Sequence, residues 1–159
     1  MFHSENYQGS REQNYELVIS QLKALLDGET DRIANLANAS ALLNQFMSRI
    51  NWVGFYLYQG GELVLGPFQG MPACVRIPLS RGVCGKAAAD RKTVLVPNVH
   101  EFPGHIACDA ASQSEIVIPL VKDGELLGVL DIDSPELERF DEIDQRYLER
   151  FALQLVAAL

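Results

Sequence analysis

Three thiols and three carboxylates carry most of the chemical potential of this chain: Cys74, Cys84 and Cys108, with Glu115, Asp131 and Asp133. Residues 104–133 gather four of the six. Cys108 lies in a loop of small residues, Glu115 on a first strand, and Asp131 and Asp133 on a second. Carboxylates on apolar strands are costly to bury, so their presence there implies a task. An odd number of cysteines does not suggest a structural disulfide framework in a cytosolic protein. Each cysteine sits near a Pro or Gly in a loop or strand-end setting, outside any clear apolar helix stripe, which weakens the reading of plain core thiols. No Cys-x-x-Cys or His-x-x-x-His spacing occurs, so no metal is expected.

The elements that must position these groups follow from the hydrophobic pattern. With 159 residues, 48% hydrophobic and 21% charged, the chain can bury one real core, so a single domain over 1–159 is expected. A formal charge of −8 argues against nucleic acid or an anionic membrane as the main partner. The polar N-terminus reads as no signal peptide, and no run approaches the ~20 apolar residues of a membrane span, so a cytoplasmic location is expected. Residues 1–10 are expected to be a loose arm, extending to 14, where a helical stripe over 15–26 begins. Thr30 or Asp31 can cap a second helix with Ile33, Leu36, Ala37, Leu43, Phe46, Met47 and Ile50 on its face. Strands are predicted at 52–58, 62–68, 75–79 and 93–96, with a short helix at 86–90. Trp52 and Tyr56 are four apart and share one face of the first strand. Residues 97–114 form a long irregular connection, of a length usually functional or disordered. Asp141 suits the N-cap of a last helix running to the C-terminus. Helices around an antiparallel sheet, an α+β domain, are the natural packing.

The hairpin of 115–121 and 125–133 holds the acids, and its turn decides which face they share. If Asp123-Gly124 alone is the loop, Glu115 falls on the face opposite Asp131 and Asp133, because side chains alternate. If residues 122–124 form a three-residue loop with Gly124 in the left-handed region, Glu115 sits across from Asp131. The second register is the one expected. It places Ile116, Ile118 and Leu120 with Leu126, Gly128 and Leu130 on one apolar face.

That element order, with Phe140-Asp141-Glu142 entering the terminal helix, resembles a GAF domain over nearly the whole chain. Five motifs narrow the resemblance: Asn51-Trp52-Val53-Gly54-Phe55-Tyr56, Gly66-Pro67-Phe68-Gln69-Gly70, Gly82-Val83-Cys84-Gly85, Gly104-His105-Ile106-Ala107-Cys108-Asp109 and Val129-Leu130-Asp131-Ile132-Asp133-Ser134. Together they are similar to the free methionine-(R)-sulfoxide reductase family. The pattern departs at Asn98, where the family leads one to expect an acid.

The resemblance implies an oxidoreductase reducing free L-methionine-(R)-sulfoxide to methionine, with no cofactor. Such chemistry needs a thiolate to attack the sulfur, an acid for the departing oxygen and a second thiol to clear the sulfenic acid. The resemblance makes Cys108 the nucleophile, although the nearby acids would raise its pKa. It favours Cys74 as the resolving thiol, pairing with Cys108, with Cys84 able to assist or substitute. The reverse assignment, attack by Cys84 and resolution by Cys108, stays open, and thioredoxin is the expected reductant. Glu115, Asp131 and Asp133 would divide sulfoxide-oxygen binding, which needs a protonated carboxyl, from ammonium binding. Trp52 and Tyr56 would wall the methyl–sulfur end of a small closed pocket. His105 is left out of the catalytic set, since a loop histidine more often orders its loop. The apolar N-terminal helices suggest a homodimer. The rival readings are a ligand-sensing GAF module and a thiol redox sensor. The first is disfavoured because three loop cysteines have no use in it and the chain ends with its last GAF-like helix.

Overall fold

The computed structural model describes residues 2–3 and 6–159. Ser10 caps helix α1 (Arg11–Leu26) through a capping box with Gln13. The helix therefore begins inside the segment expected as an arm, because Ser10 satisfies the first free N–H groups before the apolar stripe starts. Asp31, rather than Thr30, caps α2 (Arg32–Phe46), its side chain accepting from the Ala34 N–H at 2.8 Å. Leu36, Ala39, Leu42 and Leu43 form its buried face, while Ile33, expected there, is exposed. Asp141 caps α4 (Glu142–Val156) as expected, again with a capping box. The buried Asp144 carboxylate accepts from Tyr15 at 2.6 Å and pairs with Arg11 at 3.0 Å, joining α1 to α4.

Six strands make one antiparallel sheet: β1 (Trp52–Gln59), β2 (Glu62–Gly70), β3 (Arg76–Pro78), β4 (Val94–Val96), β5 (Ser114–Lys122) and β6 (Glu125–Ser134). Their order across the sheet is β3-β2-β1-β6-β5-β4, so the hairpin of β5 and β6 lies beside β1. One face carries Val53, Phe55, Leu57, Ile116, Ile118, Leu120, Leu130 and Ile132 into a core closed by α1, α2 and α4. The other carries Trp52, Tyr56, Val117 and Val129 towards the short helix α3 (Gly82–Asp90).

Two local expectations are corrected. Helix α3 begins at Gly82, four residues before 86, because the Gly85 N–H donates to the Arg81 carbonyl at 3.0 Å and closes a first turn. Cys84 therefore lies in a helix and is buried, not in a glycine-flanked turn. The hairpin turn has two residues, with Lys122 paired to Glu125 and both Asp123 (φ 51°) and Gly124 (φ 79°) in the left-handed region of a primed turn. On its own this register would put Glu115 opposite Ile132. A bulge restores the face: Val121 pairs with Leu126 but Leu120 with Gly128, leaving Leu127 over. Glu115 consequently pairs with Asp133, and Val117, not Glu115, pairs with Asp131. The three acids share a face, as expected, by a different route.

Candidate active site

The acids meet at one end of the sheet, under the start of α3. A cavity of about 40 Å³ opens there, lined by Trp52, Tyr56, Cys84, Glu115, Asp131 and Asp133. The loop of residues 104–112 closes it with His105, Cys108 and Asp109, and Arg81 lies at its exposed rim. Of the predicted site residues, all but Cys74 line this space. Cys74 is bonded to Cys108 across 34 residues of sequence, with Cα atoms 5.5 Å apart. The structure thus holds the pairing that the family resemblance implied, and leaves Cys84 as the free thiol.

Each loop is held by a side chain of β1 or its lead-in. The Trp52 indole N–H donates to the Met71 carbonyl at 3.2 Å, and the Tyr56 hydroxyl donates to the Cys74 carbonyl at 2.9 Å. The two rings stack with centroids 5.8 Å apart. They therefore wall the cavity and also fix the loop that carries Cys74. On the opposite side, the Asn51 amide donates to Asp109 at 2.9 Å and to Ser112 at 3.1 Å, tying down the loop that carries Cys108. Asn51, Asp109 and Ser112 had no separate signal in the pattern of residue types. Asn51 and Asp109 do lie inside two of the quoted motifs, whereas Ser112 lies in none.

Burial sets the electrostatics. Glu115 and Asp131 are each only 6% exposed, and Cys84 5%. The Glu115 carboxyl is held well above the usual carboxylate range, first by desolvation and then by Asp131 and Asp133. Asp131 is also raised by burial, but hydrogen bonding with Glu115 and Cys84 pulls it back. Asp133 is pushed well up by burial, Asp131 and Asp109. The Cys84 thiol is driven up by burial and by all three acids. Its place in the first turn of α3 would favour a thiolate, but desolvation wins. Its sulfur lies 3.9 Å from Glu115 Oε1, as a weak donor to that carboxyl. His105 Nε2 lies 3.7 Å from Glu115 Oε2, and burial lowers the imidazole pKa. The histidine that sequence reasoning set aside therefore faces the acids directly.

Asp131 Oδ1 is buried and has no hydrogen-bond partner. An orphaned carboxylate oxygen beside a cavity is costly unless something with positive charge or a proton meets it. Asn98, where the pattern departs, is not among the lining residues: its side chain accepts from the His100 N–H at 3.0 Å to cap a 3-10 turn over Val99–Glu101. Among the described residues, Cys84, Glu115 and Asp131 bring one ligand atom each within 4.8 Å of one another, a juxtaposition no motif spacing reveals. No helix among the described residues is long and apolar enough to cross a membrane.

Comparison with known proteins agrees with this geometry. The GAF domain family matches residues 33–159. The YtsP protein of Bacillus subtilis is 58% identical over 161 residues, spanning 100% of this chain and 99% of that protein. The free methionine-R-sulfoxide reductase of Escherichia coli is 54% identical over 136 residues, 86% of this chain and 82% of that protein. A crystal structure of the free methionine-R-sulfoxide reductase of Neisseria meningitidis in complex with its substrate superimposes with a TM-score of 0.94. It is 46% identical and covers 99% of this chain and 95% of that one. The chain belongs to the GAF domain family and, within it, to the free methionine-R-sulfoxide reductases.

Proposed function

We propose that this protein reduces free L-methionine-(R)-sulfoxide to L-methionine, with Cys108 as nucleophile and Cys74 as resolving thiol. The observation that carries the reading is the Cys74–Cys108 bond at the edge of a cavity lined by the buried Glu115 and Asp131 and the half-buried Asp133. In the reduced protein the Cys108 thiolate attacks the sulfoxide sulfur. The oxygen passes to Cys108 as a sulfenic acid, the substrate sulfur gains two electrons, and methionine leaves. Cys74 then attacks the sulfenic sulfur, the oxygen departs as water, and the disulfide forms. Thioredoxin, a cytoplasmic dithiol reductant, returns both thiols. Cys84 is poorly suited to attack, since burial and three acids hold its proton in place.

Glu115 is the acid that donates to the sulfoxide oxygen: burial and two neighbouring carboxyls favour its protonated form. Asp131, with its free oxygen, and Asp133 receive the substrate ammonium. A small pocket walled by Trp52 and Tyr56 suits a free amino acid better than a methionine held within a peptide. The exposed Ile33 on α2 is compatible with a homodimer through the N-terminal helices.

The test follows NADPH oxidation with thioredoxin and its reductase. Free (R)-sulfoxide should turn over, while free (S)-sulfoxide and a peptide-bound sulfoxide should not. Cys108→Ser should abolish even the single release of methionine seen without reductant. Cys74→Ser should keep that release and lose steady turnover. Absence of turnover of the free (R)-sulfoxide would sink the reading, and the reverse pattern in the two variants would exchange the cysteine roles.

A further inference from the structure

The Cys84 end of the cavity has the composition of a cation site with a preference. Cys84 comes from α3, Glu115 from β5, Asp131 from β6 and His105 from the loop above them. Three of the four are on regular elements, so their positions are set by the fold and need no loop to close. Zinc held tetrahedrally at about 2.3 Å from sulfur and about 2.0–2.1 Å from oxygen or nitrogen places its ligands roughly 3.3–3.8 Å apart. Here Cys84 Sγ and Glu115 Oε1 are 3.9 Å apart, and His105 Nε2 and Glu115 Oε2 are 3.7 Å apart. Cys84, Glu115 and Asp131 donors all lie within 4.8 Å of one another. Side-chain shifts of about an ångström therefore bring Cys84, Glu115 and Asp131 to bonding distance of one ion, with His105 beside Glu115.

Two further observations point to a ligand. Asp131 is 6% exposed, and its Oδ1 has no partner. The adjoining cavity, about 40 Å³, exceeds the roughly 10–15 Å³ that one water needs. The donor set selects among cations. Oxygen donors alone would suit magnesium or calcium, whereas a thiol with carboxylates and an imidazole suits zinc.

We propose that Cys84, Glu115 and Asp131 form a zinc-binding site, with His105 as the fourth donor. Binding forms bonds from zinc to the Cys84 sulfur and to oxygens of Glu115 and Asp131, and the protons of the Cys84 thiol and the Glu115 carboxyl leave to solvent. The site is complete in the disulfide form, because Cys74 and Cys108 are not part of it. An ion there occupies the cavity that the proposed function gives to the substrate, so zinc and substrate would exclude each other. The binding does not depend on the proposed turnover.

The experiment uses the full chain in its disulfide form, stripped of metal and titrated with Zn²⁺ against a chromophoric chelator. One ion per chain is expected. Co²⁺ in its place should give a thiolate-to-cobalt charge-transfer band in the near ultraviolet. Cys84→Ser should remove that band and weaken zinc by at least the roughly 10–100-fold that loss of an outer-shell partner costs. Should Cys84→Ser fail to fold, Asp131→Asn must weaken zinc in the same range. Absence of one-to-one binding, absence of the cobalt band, or unchanged affinity in the folded variant would each overturn the site. A chain that binds zinc but reduces no sulfoxide would overturn only the proposed function, and the reverse result only this site.

Discussion

Asp131 and Ile132 are neighbours in β6 and meet opposite worlds. Ile132, like Leu130, is fully buried among apolar side chains beneath α1, α2 and α4. Asp131 is almost as inaccessible, yet its surroundings are a thiol, two carboxyls and a small cavity. Both residues are buried. Only one is satisfied. On the helix-covered face, each large side chain contributes about 1.5–3 kcal/mol by leaving water. On the other, buried carboxyls give up hydration and gain one another as neighbours. The alternation of a strand allows both within four residues: stability is drawn from the even positions 130 and 132, and chemistry from the odd positions 131 and 133.

The largest effect should come from the chemical face. Glu115→Gln keeps the shape of the side chain but has no proton to give. A positioned acid contributes typically 10²–10⁴-fold, so kcat should fall by about that much. Stability should stay level or rise, since a neutral amide replaces a carboxyl that burial and two acids disfavour. Steady-state kinetics and urea unfolding measure the two together. A variant with normal kcat and lost stability would show that Glu115 is a structural residue, and the contrast between the faces would fail.

The converse holds for the other face. Ile132→Ala removes buried methyl groups from a close-packed core and should cost about 2–5 kcal/mol, within the 5–15 kcal/mol typical of a domain. The folded variant should keep kcat/KM within about threefold, because its side chain points away from the cavity and its backbone pairing with Ile116 is unchanged. A loss of activity out of proportion to the unfolded fraction would mean that the core face sets the positions of the acids, so that the two faces are not separable.

Much of this division was legible in the residues themselves. The apolar stripes and the cap at Asp141 follow from periodicity and capping chemistry. The sharing of a face by Glu115, Asp131 and Asp133 was expected from a three-residue turn that the fold does not use. Asp123-Gly124 is a two-residue turn of the kind that Asp-Gly favours, and by parity it should have split the acids. The bulge at Leu127 cancels that shift. Its signal was Gly128: a Cβ at that position would lie 2.2 Å from the Tyr56 carbonyl oxygen, so only glycine lets β6 approach β1 there. A glycine inside a strand pattern marks a bulge or a close approach, and here it marks both. The helical start of Cys84 was obscured for a related reason. Gly82 and Gly85 look like turn punctuation, yet the Gly85 N–H closes the first turn of α3 on the Arg81 carbonyl. His105 was hidden because a single loop histidine has no periodicity, and only its 3.7 Å approach to Glu115 separates it from a surface residue.

The smallest effect expected is also the one that compares the faces most directly, through pH. Glu115 is protonated in both the unfolded and the folded chain below its unfolded pKa, about 4.3. As pH rises past that value the unfolded chain gives up the proton, while the folded chain holds it, because its pKa is raised. The unfolded state then binds fewer protons, so this group's contribution falls with pH, by at most about 1.4 kcal/mol per pH unit. Asp131 and Asp133 act in the same direction. Other groups act oppositely. Asp141 is held well below the ordinary range by Arg11, so its contribution is lost as pH falls. His105 is lowered by burial, so its contribution is lost below about pH 6.5. Subtracting the stability of wild type from that of Glu115→Gln removes most of the Asp141 and His105 effects, since both variants contain them. The difference should be near constant below about pH 4 and should then climb with pH in favour of Glu115→Gln. Urea unfolding at a series of pH values gives the curve. A flat difference would mean that Glu115 ionises in the fold as it does in water, and the chemical face would then hold a charged carboxylate where the proposed mechanism requires a proton.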